Sequence, residues 1–444
     1  MVTSFKKFIT KREGDTSFLF WVYAFLLHTL ENPISGFHPL LILAFSLLIW
    51  QRSEYLKFAF VLFYTMSILT ELPKVANHSI IALFINIFLL VNTTHFFLKD
   101  KKMKVGFDHN QRGMVIVILS LVYFFAFFHK LNHAYLELNL SCATQIYQKL
   151  LTTPLGFFLP NNTSVYWFNI YGSLFLEGLF VFLFFIFPAV GILLGFIFHS
   201  FLSFGMLYDF GAIIFSLYFI LSDHFEKGVV TTKIRWGRSF LYFSLIPLLF
   251  VNVFKFNLGF EHHTLTTIFF VLGSSFLLLP ELKFKPVFYL KKLNFKFLHS
   301  VLIVLFVLNG LSPYLGLKTI SNFSMFSNLR VEGKGSNHLL VNDELEITSY
   351  NDDIAWIISA EGPPEEWVFH KGIGIPFMEL RRVVTELRLM EYPYLKISYL
   401  RGDKLFQFDN ALGERSELPD LAFWQRKLLG WREVRRDGVE VCRW

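Results

Sequence analysis

The sequence predicts an all-α polytopic membrane domain of about 9–11 hydrophobic helices, some short or re-entrant, followed by a small α+β extracytoplasmic domain. Of the 444 residues, 54% are hydrophobic and 17% are charged, and the mean hydropathy is +0.48. A soluble domain of this size does not bury so much apolar side chain in its own core. After residue 317 the composition changes, and most of the Asp and Glu residues follow. We therefore predict a membrane domain over residues 1–320 and an outer domain over residues 321–444.

Eleven apolar runs are candidates for helices that cross or enter a bilayer. They lie near residues 17–30, 38–50, 55–72, 77–98, 113–134, 165–187, 188–208, 210–222, 239–254, 265–282 and 297–316. Several runs are shorter than the ~20 residues that a full span needs, which predicts tilted or re-entrant helices.

Short loops rich in Lys and Arg predict the sidedness of the protein, because such loops stay cytoplasmic. Four segments carry these charges: the amino terminus at 6–12 and the loops 99–112, 227–238 and 283–296. Four, four and two apolar runs separate them in turn, and each number is even, as a shared side requires. The sequence thus predicts a multi-pass protein with a cytoplasmic N-terminus and an extracytoplasmic C-terminal domain.

The outer domain is predicted from short alternating and amphipathic patterns. HLLV at 338–341 and ELEITSY at 344–350 favour strands, and residues 375–389 favour a helix with its apolar side chains on one face. Residues 394–408 indicate a hairpin that turns at the tripeptide RGD, and a short helix follows Pro419.

The chain has two cysteines, Cys142 and Cys442, and the predicted topology places both outside. An oxidising compartment would allow a disulfide between them. Two unrelated thiols are the alternative, and the sequence leaves both open.

Titratable residues inside apolar runs are candidates for function, because an ionisable group at membrane depth is costly. At about 1.5 Å of rise per residue, Lys130 lies near the external edge of an outward-running helix, and His78 begins an inward-running helix at the same edge. His199 and Glu177 come from the middle or outer half of their runs. Headgroup contacts, helix capping and interhelical hydrogen bonds are the structural alternatives for these residues. Their shared depth favours an apolar cavity where the amine of Lys130 acts as a base beside the imidazole of His78.

The end of the same helix has one feature of a metal site. His129 and His133 lie four residues apart on one helical face, a spacing that suits a metal ion. The sequence offers no third converging ligand, so we predict no metal there.

Three motifs, in this order, resemble a known family of membrane proteins: NHS at 77–79, HKLN at 129–132 and FHSFLSFGM at 198–206. Together with the tail segment 324–341, they are similar to the membrane domain of bacterial-type vitamin K-dependent γ-carboxylase-like proteins, within the wider set of horizontally transferred transmembrane (HTTM) domain proteins. The resemblance covers residues 15 to 341 and implies a bacterial inner membrane.

The resemblance implies a carboxylase of the carbon–carbon lyase class. Lys130 matches the lysine taken as the base that deprotonates the hydroquinone, and His78 matches the histidine assigned to stabilising a carbanion, so these two are the predicted catalytic residues. The predicted cofactor-binding residues are His199, Asn132, Glu177 and His129. The implied cofactor is reduced vitamin K or menaquinol, with O2 and CO2 as co-substrates. The implied partners are the lipid bilayer, the lipid quinol and a glutamate-containing protein or peptide, and no nucleic acid is expected.

Two other functions stay open on the sequence. One keeps the fold and the base without carboxylation, as a quinol oxygenase or another lipid-modifying membrane enzyme. The other is a non-catalytic transporter or membrane scaffold. Transporters often contain internal repeats, and we find none in this sequence.

Overall fold

The computed structural model describes residues 16–31, 38–50, 53–107, 112–222, 232–254, 261–282, 284, 297–333, 335–342, 345–362, 372–436 and 442. Within these residues the chain is mostly helical, with a small antiparallel sheet towards the C-terminus. The predicted cytoplasmic segment 6–12, Lys227 and the basic residues of 283–296 lie outside the described residues.

Each of the eleven apolar runs corresponds to a helix. The helices of this part are α1 (Thr16–Glu31), α2 (His38–Ile49), α3 (Glu54–Glu71), α4 (Asn77–Asp100), α5 (Arg112–His129), α6 (Cys142–Leu151), α7 (Thr163–Ile186), α8 (Pro188–Leu202), α9 (Tyr208–Leu221), α10 (Thr232–Phe254), α11 (Glu261–Leu278) and α12 (Phe297–Leu311). Only α6 lies outside the predicted runs. A π-helical turn, Ser203–Leu207, joins α8 to α9.

In the part of the chain that the structure describes, three helices are long and apolar enough to cross a membrane: Asn77–Asp100, Thr163–Ile186 and Pro188–Gly205. Five further apolar helices among the described residues are shorter, at 10–17 residues. These lengths and compositions are compatible with a membrane protein, as predicted.

Helices α1 and α9 form the centre of the helical part. Phe18 to Leu27 and Phe210 to Leu221 are buried throughout. A helix that is apolar on every side belongs inside a bundle. The indole of Trp21 still needs a partner there, and it donates a hydrogen bond to Asn86 Oδ1 at 3.0 Å.

Helix α7 has the opposite character, because one of its faces is apolar and exposed. Phe168, Phe175 and Phe182 repeat every seven residues and are 74%, 67% and 64% exposed. Such a continuous apolar face is rare on a soluble monomer and marks a surface that contacts lipid or another apolar partner.

Helices α10 and α11 cross at two glycines. A Cβ added at Gly273 would lie 2.9 Å from the carbonyl oxygen of Gly237 and 2.9 Å from the amide nitrogen of Leu241. Small residues allow helix backbones to approach this closely.

The C-terminal part contains a five-stranded antiparallel sheet in the order β4-β3-β1-β2-β5. Its elements are β1 (Ile354–Glu361), β2 (Ile373–Pro376), α13 (Phe377–Leu389), β3 (Lys396–Arg401), β4 (Lys404–Phe408), α14 (Phe423–Leu428) and β5 (Val434–Arg435). The predicted hairpin and both predicted helices are confirmed. The RGD tripeptide forms the hairpin turn, and its Arg401 is held by Asp353 through two hydrogen bonds of 2.7 Å.

The prediction of strands at 338–341 and 344–350 is wrong. His338 forms an isolated bridge with Asn132, and the described residues 345–350 include bends and a turn but no strand. The HLLV segment instead packs across the end of α5, where the amide of Leu339 donates to the carbonyl of Leu131 at 2.8 Å. A short apolar tetrapeptide has the same pattern in a strand as in a loop that packs on a helix end.

The chain near the predicted domain boundary at 320 contacts both parts. The amide of Thr319 donates to the carbonyl of Gly430 at 2.9 Å, and the hydroxyl of Ser321 donates to the carbonyl of Pro73, just after α3, at 2.8 Å. The boundary itself stays a prediction.

Cys142 and Cys442 form a disulfide. Of the two alternatives that the sequence leaves open, the structure contains the cross-link. It joins the first residue of α6 to a residue 300 positions later in the chain.

The glycine crossing gives a test of helix packing. We expect Gly273→Ala to destabilise the protein by about 1–3 kcal/mol, because the new methyl group meets backbone atoms that cannot move aside cheaply. Thermal unfolding of the purified protein in detergent measures the change. Gly172→Ala is the control, since its Cβ would lie 3.9 Å from the nearest atoms of Phe168. Equal unfolding temperatures for the two variants would contradict the close crossing.

Candidate functional site

Lys130 and Glu177 form a buried ion pair. The lysine follows the last turn of α5, and Glu177 lies in the middle of α7. Lys130 Nζ lies 2.9 Å from Oε1 and 2.7 Å from Oε2 of Glu177. The two residues are only 5% and 7% exposed. A buried charge is tolerated when it is paired and hydrogen-bonded, so each residue accounts for the burial of the other.

The pair lies at the edge of a large apolar cavity, here called the outer cavity. It has a volume of about 460 Å³ and is bordered by α6, α7, α8 and the π-helical turn. Its apolar lining includes Ile146, Leu150, Phe168, Phe175, Ile197 and Phe201. Its polar groups include the hydroxyls of Tyr135 and Ser173, which lie 2.6 Å apart. This size and composition are typical of pockets for small organic ligands.

A second, much smaller space also borders the pair, here called the inner cavity. Its volume is about 40 Å³, and Lys130, Glu177, Tyr123 and His199 contribute to its lining. It has room for one or a few water-sized molecules. The Lys130–Glu177 pair therefore contacts both cavities.

His199 brings a buried imidazole to the inner cavity. Its Nε2 lies 2.6 Å from the hydroxyl of Tyr123, which also bonds to the hydroxyl of Tyr218. Its Nδ1 has no hydrogen-bond partner within the described part of the chain, although the residue is only 2% exposed. A buried polar atom without a partner is costly, so a bound water or ligand in the cavity is the expected partner.

The sequence predicts His78 beside Lys130, but the structure does not bring these two residues together. Neither cavity lining includes His78. Its Nε2 lies 3.0 Å from His28 Nδ1 and 3.5 Å from a carboxylate oxygen of Asp209. The ring of Phe210 contacts the imidazoles of both His78 and His199. The carboxylate thus holds His78 in a separate polar cluster, and the imidazole at the cavity is that of His199.

Two predicted cofactor-binding residues have structural partners instead. His129 stacks on Phe125, and its Nδ1 lies 2.8 Å from the hydroxyl of Tyr314. The amide of Asn132 donates to the carbonyls of His129 and Ser327 at 2.8 and 2.6 Å. Neither residue lines a cavity described above. The HKLN motif therefore holds the tail segment against the end of α5, and only its lysine reaches the cavities.

His133 has the sequence spacing of a second metal ligand beside His129, but it is exposed while His129 is buried. The two imidazoles therefore do not converge.

Four residues around the site are not predicted from the sequence: Tyr123, Tyr218, His28 and Asp209. Asp209 had a usable signal, since it is a carboxylate between two apolar runs. The tyrosines and His28 had none, because amphipathic side chains are common near the ends and interfaces of membrane helices.

No protein-family model, curated protein or solved structure matches this chain. The resemblance to γ-carboxylases therefore stays a prediction, and the functional argument depends on the geometry of the site.

The ion pair can be tested by its effect on stability. Lys130→Met or Glu177→Leu alone leaves one charge buried without its partner, so we expect each to lower the free energy of unfolding by about 3–5 kcal/mol. The double variant removes both charges and should recover most of that loss. Chemical unfolding in detergent measures all three proteins.

The matched control for this cycle is Lys57→Met. Lys57 is buried and lies 2.8 Å from Glu54, but the Glu54 side chain is 30% exposed and keeps access to solvent. The control should therefore cost less than Lys130→Met. Additive losses in the double variant would show that Lys130 and Glu177 do not interact.

Proposed function

We propose that this protein is a membrane enzyme that binds a lipid hydroquinone in the outer cavity and accepts a proton from its hydroxyl group with the Lys130–Glu177 pair. One observation carries the proposal: a buried amine and carboxylate, 2.7 Å apart, lie at the edge of an apolar cavity of about 460 Å³. A general base must lie within hydrogen-bond reach of the proton that it accepts, and this pair has that reach into a cavity with limited access to water.

The shape of the outer cavity suits a molecule with a small polar head and an apolar tail. Phe168, Ile197 and Phe201 line the cavity and are also 74%, 51% and 46% exposed. In a bilayer these side chains would contact acyl chains, so an apolar tail can extend from the cavity into lipid. Among the described residues that line the cavity, only Lys130 and Glu177 carry a formal charge, which favours a hydroxylated ring head beside them.

The pair can take up a proton without creating an isolated charge. When a hydroxyl loses its proton to the pair, the carboxylic acid of Glu177 and the ammonium of Lys130 remain beside the new oxygen anion. The ammonium then stabilises that anion, and the carboxyl group holds the proton. The two groups of the pair share one proton, so Lys130 acts as the base when that proton lies on Glu177, and as the electrostatic partner once its amine has taken the substrate proton. A reduced quinone bound here would supply two electrons to O2 and would itself be oxidised.

The finer proposal follows the resemblance and adds a second reaction. Oxidation of the quinol would be coupled to carboxylation of a glutamate in a protein or peptide by CO2. The inner cavity has room for a small co-substrate or a water molecule beside His199, whose Nδ1 has no hydrogen-bond partner among the described residues. His78 has no part in this proposal, since its imidazole belongs to the cluster with His28 and Asp209. Quinol oxidation without carboxylation is the alternative that the experiment below separates.

We also propose the orientation predicted from the basic loops, with the C-terminal domain outside a bacterial inner membrane. The disulfide between Cys142 and Cys442 supports it, because disulfides persist in oxidising compartments such as the periplasm. The amide of His133 donates to the carbonyl of Asn337, which supports a position of the end of α5 and the tail on the same side.

The proposed proton transfer is tested by Lys130→Arg. The guanidinium keeps the ion pair with Glu177, but an arginine does not give up its proton in proteins and changes the geometry of the pair. We expect the variant to fold and to lose at least about 100-fold in turnover, the usual size of an acid–base contribution. Oxygen-dependent conversion of added menaquinol or reduced vitamin K by the purified protein is the measurement.

Lys57→Arg is the matched control, because it changes another buried lysine that is paired with a glutamate and borders neither cavity. Labelled CO2 in the same reaction, with a glutamate-containing peptide, distinguishes the two versions of the enzyme. Label in the peptide supports coupled carboxylation, and oxidation without label supports the quinol oxygenase. Full turnover by Lys130→Arg would remove Lys130 from the proton transfer.

The orientation is tested by thiol labelling in intact spheroplasts. We expect no reaction of the wild-type protein with a membrane-impermeant maleimide, because Cys142 and Cys442 are joined. Cys142→Ser frees the thiol of Cys442, which should then react from outside. Labelling of that variant only after lysis would place the C-terminal domain in the cytoplasm.

A further inference from the structure

Three helices bring metal-ligating side chains together at a point that the proposed reaction does not use. His28 lies near the end of α1, His78 at the start of α4 and Asp209 at the start of α9. One ligand atom from each residue lies within 4.8 Å of the other two. We propose that His28, His78 and Asp209 bind a divalent transition-metal ion, and this proposal does not depend on the function proposed above.

The distances among the three ligand atoms fit a single ion. His28 Nδ1 lies 3.0 Å from His78 Nε2 and 3.3 Å from Asp209 Oδ2, and His78 Nε2 lies 3.5 Å from the same oxygen. Ligands about 2.0–2.2 Å from a zinc or iron centre are separated from one another by about 3.0–3.5 Å, in octahedral or tetrahedral geometry. The three atoms therefore already form one triangular face of a coordination shell.

The burial of the cluster favours a cation bound directly by the three side chains over one that keeps its full shell of water. His28 and His78 are 8% and 6% exposed, and the Asp209 side chain is 14% exposed. The imidazole rings meet edge to face, with their centroids 4.6 Å apart, and Phe210 packs on His78. Two imidazole nitrogens only 3.0 Å apart need a proton or a cation between them, since two lone pairs repel.

The ligand set indicates the class of ion. Two neutral imidazoles and one carboxylate suit Zn²⁺ and Fe²⁺, whereas Ca²⁺ and Mg²⁺ prefer oxygen ligands. The same set of two histidines and one carboxylate on one face leaves the opposite coordination positions open for water or another ligand. A bound ion would also link α1, α4 and α9, which are distant in sequence.

The competing explanation is a hydrogen-bonded network in which one imidazole carries a proton and pairs with Asp209. Both explanations account for the burial of the three residues. They differ in the metal content of the protein, which can be measured directly.

The experiment uses the full chain, purified in detergent, stripped with a chelator and dialysed against Zn²⁺. We expect about one Zn²⁺ per chain by mass spectrometry of the metal, and a loss of more than about tenfold in affinity for His78→Asn and for Asp209→Asn. His95→Asn is the matched control, because His95 lies exposed on the same helix as His78. Wild-type content near zero, or unchanged binding by both variants, would overturn the proposal.

A second measurement uses the wild-type protein alone, so it tests the proposal even if the variants fail to fold. Co²⁺ titrated into the stripped wild-type protein should give visible absorption bands that differ from those of aqueous Co²⁺, because nitrogen ligands and a lowered coordination number change the ligand field. A spectrum identical to that of aqueous Co²⁺ would overturn the proposal without any variant. Lys130→Arg should bind Zn²⁺ as the wild type does, so a failure of the proposed enzymatic function leaves this result unaffected.

Discussion

The ion pair between Lys130 and Glu177 is the constraint on which the arrangement of the helical part depends. Neither charge is stable alone in apolar surroundings, so the end of α5 and the middle of α7 must meet. Their meeting leaves space on two sides, a large apolar cavity towards α6 and α8 and a small one towards His199. The position of the pair therefore determines where a ligand can bind and which groups it can contact.

The tail segment keeps this arrangement rigid. Asn132 bonds to the carbonyls of His129 and Ser327, and Asn328 accepts a hydrogen bond from the amide of Cys142 at the start of α6. The residues of the HKLN motif thus have two different roles. Lys130 borders the cavities, whereas its neighbours fix the turn from which its side chain extends. A site held by buried hydrogen bonds keeps its geometry better than one held by a free loop.

The sequence predicted the helices well and the site in part. Long apolar runs specify helices because few other structures satisfy a backbone in apolar surroundings. Short segments carry less information: HLLV at 338–341 is a loop, and the sequence did not predict the strand β1 at Ile354–Glu361.

Depth along a helix correctly grouped Lys130, Glu177 and His199. It could not separate them from His78, because depth gives the position along the membrane normal and not the direction around the bundle. That direction depends on long-range packing, here of Phe210 between the two imidazoles.

The cross-link between Cys142 and Cys442 has a consequence for the order of assembly. Helix α6 forms one wall of the outer cavity, yet its covalent anchor lies 300 residues further along the chain. The whole interval must be synthesised, and Cys442 must reach a compartment where thiols are oxidised, before the disulfide can hold α6 in place. A chain whose synthesis stops part-way would therefore leave α6 without its cross-link and Cys142 as a free thiol.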